Sequence, residues 1–465
     1  MPPPTRVARP RPSRRRATAA ACLLALLATA SPRVRGASAA ALPGFTALDS
    51  PAPAGAMIPP DGRAKEFAFL YTNGLFHIFY IRDNLTVPAD SVSREFGHAV
   101  SADLVHWTQL SPVLPIRPDK WDNDHVWAPH VVEQDGIYYM WYVGVTREPF
   151  AWSWYQRIGV ATSTDLMNWT RYDQPVYGGS QVPWAFADSS QFDGAQFRDP
   201  FVMPDPDHPG QWLMYYVTEP AAARGQLLVG IARNSGGLTP WHDVLGGPVW
   251  STDAAHFWGW VESPNVFEHN GLWYMFVTTT SSHVIGFRTA TTPATADSSQ
   301  WAVKYRLYDM VNQSSTSDVW FGVEHVSVAG HDYFAYVNPW DSGVDIQEMI
   351  WGTPPNFSLT GPVTASAMPL PNPPALALRA LGRPAGGSGT VLQLAVPAAT
   401  SGRLELFDVS GRRVRTLLAG PLAAGEQLVT WDGRTADGAR ASRGVYFALV
   451  STASARASAR VLVTD

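Results

Sequence analysis

Five segments of the chain repeat one pattern: a tight turn with glycine, then a strand whose aromatic positions alternate. They are "NGLFHIFYI" from Asn73, "DGIYYMWYV" from Asp135, "PGQWLMYYV" from Pro209, "NGLWYMFVT" from Asn270 and "GHDYFAYVN" from Gly330. Their glycines, Gly74, Gly136, Gly210, Gly271 and Gly330, are spaced by 62, 74, 61 and 59 residues. A turn pair such as Asn-Gly before alternating apolar positions predicts a hairpin. Its recurrence at a near-constant period predicts an array of equivalent sheets. The longest interval holds "YGGSQVPWAFADSSQFDG", read as a loop insertion. One such sheet leaves two faces to cover, and a closed ring of five covers them and protects the edges. The expected fold is all-β, with a five-bladed β-propeller over residues 63–363.

Three further segments read as a strand, a Ser/Asp turn and a terminal Trp: "AVSADLVHW", "ATSTDLMNW" and "ARNSGGLTPW". They fit the outer part of a blade, with the Trp covering an edge. His98 and Asp103 belong to this structural set, and "PDPDHPG" at Pro204 reads as a turn.

The ends differ from this pattern. Residues 1–40 carry an arginine-rich start, an apolar stretch from about Ala17 to Ala30 and small residues at "GASAAAL", which together predict a secretory signal. Residues 41–62 form a lead-in. Residues 364–389 are rich in Pro, Gly and Ala and read as a linker. Beyond them, five short alternating strands separated by turn residues predict a small Ig-like β-sandwich over 390–465.

Charge and composition narrow the functional classes. The only cysteine, Cys22, lies in the expected signal, so thiol catalysis and disulfides are excluded for the mature chain. Losing the eight leader arginines leaves 26 basic against 39 acidic residues, a net of −13. That balance argues against nucleic acid and anionic membranes as partners. No later segment is long and apolar enough for membrane insertion. The 19 Trp residues suit stacking on sugars, and equally a large β core.

The triplets that open the inner strands carry the candidate chemistry. They are "KEF" at Lys65, "WAP" at Trp127, "RDP" at Arg198, "ESP" at Glu262 and "VEH" at Val323. First strands of blades face the central channel, so Glu66, Asp199 and Glu262, expected at equivalent repeat positions, should converge there, and Glu324-His325 of the fifth triplet adds another acid and a histidine. One buried acid is usually a structural ion-pair or turn residue; several at matching places point to a site. Paired carboxylates suit glycoside hydrolysis, one protonated to serve the leaving oxygen and one ionised to activate water or attack the sugar. That chemistry requires no cofactor or metal in the bond-breaking step.

The ordered triplets resemble the five-bladed propeller of glycoside hydrolase family 43, whose relatives are families 32, 62 and 68. "FGHAVSADLVHW", "FRDP" and "WVESPNVF" are similar to family 32 invertases and fructosidases. The resemblance implies Glu262 as general acid, Asp199 as the acid that orients and tunes it, and Glu66 as base or nucleophile. It implies a carbohydrate substrate with terminal arabinofuranosyl, xylosyl or fructosyl units. The family places Asp, typically as Asp-Pro, where this chain has Glu66-Phe67, and one extra methylene displaces the carboxylate. Asp61 in "PPDG" is a weaker alternative. Trp127 is expected as a sugar platform or a packing residue, Arg198 as substrate ligand or ion-pair partner of Asp199, and Asn265 as a ligand of a hydroxyl. His325 matches a fifth-blade histidine near the axis, where the resemblance also accommodates calcium or another cation. The competing reading is a non-catalytic carbohydrate-binding propeller; a third is a purely structural surface protein.

The C-terminal pattern "LFDVSGRRVRTL" with "WDGRTADGARASRGVYFALV" resembles the Ig-like module of flagellar hook-capping proteins. Similar modules end many secreted bacterial proteins, which implies a secreted or cell-surface location with attachment through this module.

Overall fold

The computed structural model describes residues 56–60, 62–84, 87, 92–147, 154–188, 196–249, 261–279, 284–295, 301, 304–309, 322–337, 343–363 and 372–464. The expected signal, most of the lead-in including Asp61, and the start of the expected linker lie outside these residues.

The described residues form five four-stranded antiparallel meanders. Blade 1 holds β1 (Gly62–Thr72), β2 (Leu75–Asn84), β3 (Phe96–Ser101) and β4 (Trp107–Val113); blade 2 holds β5 (His125–Gln134), β6 (Ile137–Thr146), β7 (Tyr155–Ser163) and β8 (Thr170–Arg171). Blade 3 holds β9 (Phe197–Pro204), β10 (Trp212–Thr218), β11 (Leu228–Asn234) and β12 (Trp241–Asp243); blade 4 holds β13 (Val261–His269), β14 (Leu272–Thr279), β15 (Val284–Ala290) and β16 (Lys304–Asp309). Blade 5 holds β17 (Val323–Val328), β18 (His331–Val337), β19 (Val344–Trp351) and β20 (Phe357–Pro362). The first strands adjoin in cyclic order, β1 to β5, β9, β13, β17 and back to β1, so the ring is closed.

The repeated pattern has a local cause. Gly74, Gly136, Gly210, Gly271 and Gly330 all take φ between 78° and 83° at the turn between first and second strands. Four of them follow a residue that also has positive φ, among them Asn73 and Asn270 at 52°, as a primed hairpin turn requires. The second strands are apolar nearly throughout because successive side chains leave a strand on opposite faces and both faces are covered. Phe76, Ile78 and Tyr80 of β2 pack toward blade 5, while Phe79 and Ile81 pack toward blade 2. Every blade junction has its own apolar cluster, and the closing junction joins Phe67, Phe76 and Tyr80 to Val326, Tyr333 and Val344. Met57 pairs with Val344 through two backbone hydrogen bonds of 2.8 and 2.9 Å, tying the lead-in to the last blade. In the outer turns, the indoles of Trp107, Trp169 and Trp241 each donate to the carbonyl three residues earlier.

The C-terminal sandwich differs from expectation in two ways. It has seven strands, because β21 (Ala377–Gly382) and β24 (Arg413–Leu422) join β22 (Thr390–Val396), β23 (Thr400–Asp408), β25 (Gly425–Trp431), β26 (Gly444–Thr452) and β27 (Arg456–Val463). They form two sheets, β21-β22-β25 and β24-β23-β26-β27, around Leu392, Leu404, Leu406, Trp431 and Val450. The segment read as a linker therefore contains a strand. It also docks: Leu381 and Val391 pack on Leu75, Val100 and Leu110 of blade 1. The Gln393 amide donates to the Asn73 carbonyl at 2.6 Å, and the Ser111 N–H to the Arg383 carbonyl at 2.9 Å.

Candidate active site

First strands of four blades break their pairing at the ring centre. In β5, β9 and β13 an X-Pro pair bulges against a single partner residue: Ala128-Pro129, Asp199-Pro200 and Ser263-Pro264. Each first residue has positive φ, 44°, 55° and 51°, in a region that L-residues rarely occupy. Blade 1 bulges differently, with Lys65 and Glu66 opposite Ile81. Strand β17 runs without a bulge. Bulges re-aim side chains beside functional sites, and here they open a pocket.

The pocket encloses about 290 Å3 of empty space, part of it open to solvent. Its walls include Glu66, His130, Asp199, Ser263, Gly322 and Glu324. Every blade thus contributes, as a channel lined by first strands demands.

Two of the three expected acids, Glu66 and Asp199, line this pocket; Glu262 is not a wall residue and joins them through Arg198, and the three do not come from equivalent positions. Glu262 precedes its bulge, Asp199 is the first residue of its bulge and Glu66 is the second. Within its bulge Glu66 takes the second place, which blades 2 to 4 give to proline, but the bulge itself lies one residue further from the turn. Its neighbour Lys65 turns away and pairs with Asp83 at 2.9 Å. Ser263 connects the acids: its hydroxyl donates to Glu66 Oε1 at 2.7 Å and its N–H to Asp199 Oδ2 at 3.0 Å. Arg198 pairs with Glu262 through Nη2 and lies 3.7 Å from Asp199 Oδ2. The expected Arg198–Asp199 pair is thus secondary to Arg198–Glu262.

Burial and crowding set the protonation of these groups. Glu66 is pushed well above the usual carboxylate range by burial, then by the charges of Asp199 and Glu262, with the Ser263 hydroxyl and Arg198 opposing. Asp199 is pushed up to about 7, chiefly by burial, although Arg198 pulls it down. Glu324 is raised by burial too, and its Oε2 accepts the Asn265 amide at 2.7 Å. His130 is lowered to about 4 by burial and sits 2.8 Å from the Val202 carbonyl.

The other expected ligands fall elsewhere. Asn265 spends its amide on Glu324 and is not a wall residue, so Glu324 presents the polar group that Asn265 was expected to present. His325 faces the junction of blades 4 and 5, stacked 3.7 Å from the Phe267 ring and 2.9 Å from Asp332 Oδ1. A regular strand sends neighbours to opposite sides, so Glu324 in the pocket directs His325 away. Trp127 packs beside Ala128 with its ring 5.2 Å from Trp154 and 5.3 Å from His125. Ser263 was not among the expected site residues, whereas Glu324, expected only as a further channel acid, lines the pocket. The signals were the Ser between Glu and Pro in "ESP" and the acid in "VEH".

Residues 67–229 match the glycosyl hydrolases family 32 N-terminal domain, and residues 385–456 match the FlgD Ig-like domain. Part of the propeller is thus similar to family 32, and the C-terminal sandwich to the FlgD Ig-like domain. Within that propeller the matched segment includes Asp199 but ends short of Glu66 and Glu262 on either side. A 6(G)-fructosyltransferase of Asparagus officinalis is 35% identical over 113 residues, 23% of this chain and 17% of that protein. A 1,2-beta-oligomannan phosphorylase of Thermoanaerobacter is 32% identical over 123 residues, 25% of this chain and 40% of that protein. The chain therefore spans less than half the length of these curated relatives. A thermostable family-43 glycoside hydrolase of known structure superposes with a TM-score of 0.46 at 18% identity, covering 68% of this chain and 99% of that one.

Proposed function

We propose that the protein is a secreted glycoside hydrolase that releases terminal furanosyl or xylosyl units, with fructosyl the first candidate. The observation that carries this reading is the gathering of three acids from three blades: Glu66 and Asp199 in the wall of one pocket and bridged by Ser263, and Glu262, which is not a wall residue, joined to them through Arg198. The family 32 match and the fructosyltransferase relative support the fructosyl preference.

The roles follow from the chemistry each acid can do. Glu262 gives a proton to the leaving oxygen once the Arg198 contact opens to substrate. Glu66 acts as base or nucleophile and must be ionised to do so. Its raised proton affinity makes that form scarce in the empty site, so turnover should climb as pH rises. Asp199, with its free Oδ1 buried and unpartnered, is placed to accept a sugar hydroxyl.

The test is a screen on sucrose, fructan oligosaccharides and aryl arabinofuranosides and xylosides, with wild type, Glu262→Gln and Glu66→Asp. Hydrolysis that Glu262→Gln abolishes supports the assignment. Equal rates in wild type and Glu262→Gln refute it. The binding-only reading is favoured by one observation, the replacement of the expected Asp by the longer Glu66. It predicts sugar binding by calorimetry without turnover, and a gain of turnover in Glu66→Asp.

A further inference from the structure

Ser263 touches all three acids at once. It follows Glu262 in the chain, its N–H holds Asp199 of blade 3, and its hydroxyl reaches Glu66 of blade 1. It does so from a backbone at φ 51°, which glycine would adopt without strain. The matching bulge position in blade 2, Ala128, takes the same backbone conformation at 44° with no hydroxyl. The bulge geometry therefore does not need the oxygen. Glu66, for its part, has no X-Pro bulge to fix it, and its other bulged neighbour, Lys65, is occupied with Asp83. Its carboxylate tip is held by the Ser263 hydroxyl.

We propose that Ser263 is the positioning residue of Glu66: its hydroxyl captures the longer side chain and aims the carboxyl for its role as base or nucleophile. The inference rests on the hydrolase reading above. A hydrogen bond donated to a carboxylate favours the charged form, in keeping with the sense in which Ser263 acts on Glu66. Length and hydroxyl form a matched pair. An Asp at position 66 would end about one C–C bond short of the Ser263 oxygen, so the two groups would no longer meet.

The experiment compares wild type, Ser263→Ala, Ser263→Gly, Glu66→Asp and the Ser263→Ala/Glu66→Asp double variant. Ser263→Gly relaxes the backbone and guards against a folding defect. Two readouts are taken: the pH dependence of kcat/KM, and the titration of the Glu66 carboxyl by infrared difference spectroscopy against Glu66→Gln. Losing a hydrogen bond to a charged group should move the acidic limb and the carboxyl titration upward by about one pH unit. In the Glu66→Asp background, Ser263→Ala should leave both unchanged. Unmoved titration in both Ser263 variants overturns the proposal, and so does an equal shift in the Glu66→Asp background. The infrared titration needs no turnover. If wild type hydrolyses nothing, the hydrolase reading fails by itself and the Ser263–Glu66 coupling is still decided.

Discussion

Lowering the pH from 7.5 to 5 should destabilise the fold through two histidines buried in blade 1. His77 and His98 are 3% and 0% exposed, with His77 Nδ1 3.0 Å from His98 Nε2. His98 Nδ1 has no hydrogen-bond partner. A bare ring nitrogen is cheaper to bury than an N–H, so His98 Nε2–H donates to His77 Nδ1. Burial lowers His77 to about 3, and burial followed by the neighbouring His77 lowers His98 further below its usual range. Both rings stay neutral at pH 5, while those of the unfolded chain take up protons near 6.5. The unfolded state binds more protons in that window. The stability contribution is therefore complete above about pH 6.5 and is lost as pH falls toward 3. At pH 5, roughly 1.5 units below the unfolded value, His77 alone costs about 2 kcal/mol relative to pH 7.5. The raised acids of the pocket act with opposite sign, so wild type alone mixes the two effects. His77→Gln separates them, since Gln offers His98 a polar partner and does not titrate. Urea unfolding of both proteins at the two pH values gives the comparison. The free-energy gap should move by about 2 kcal/mol in the variant's favour on acidification. A gap that stays constant refutes the neutral-pair reasoning.

Three other outcomes can be measured directly. Arg198→Gln removes the cation that pulls Asp199 down, so Asp199 should titrate above its value of about 7, read by carboxyl infrared titration. Gly271→Ala should cost about 1 kcal/mol of backbone strain, because its added Cβ meets nothing within 4 Å. Gly74→Ala has nearly the same φ, 81° against 78°, but its Cβ would come within 2.6–2.8 Å of Glu426, so thermal unfolding should show a larger loss. Removing residues 364–465 uncovers Leu75, Val100 and Leu110; at about 1.5–3 kcal/mol for each fully reburied side chain, the truncated propeller should melt well below the full chain or aggregate.

The turn-and-strand repeat was legible because each blade solves the same local problem with the same residues. The turn needs positive φ, which Asn-Gly supplies, and a strand covered on both faces needs apolar residues on both. The acids were legible as charges in apolar runs. Their register was not. "KEF", "RDP" and "ESP" look alike as strings, yet where a strand slips by one residue depends on the strand beside it. That is why Glu66, Asp199 and Glu262 arrive from three different steps of the bulge, and why the role of Ser263 emerges only with the ring closed. His325 and Asn265 were misdirected for a related reason: His325 lies on β17, which runs without a bulge, and Asn265 directly follows the bulge of β13, and each takes its side of the strand from that. Strand β21 was hidden by its Pro- and Gly-rich surroundings, although Leu378 packs into the sandwich core and Leu381 against blade 1.

The bulges of the first strands work like detents on separate sliders. Each lets one strand shift by a residue at the centre while its outer hairpin, glycine turn and apolar junctions stay where they are. The pocket can therefore be retuned one blade at a time, in steps of a single residue. Blade 1, whose stop falls one notch from the others and carries no proline, is such an adjustment caught in place.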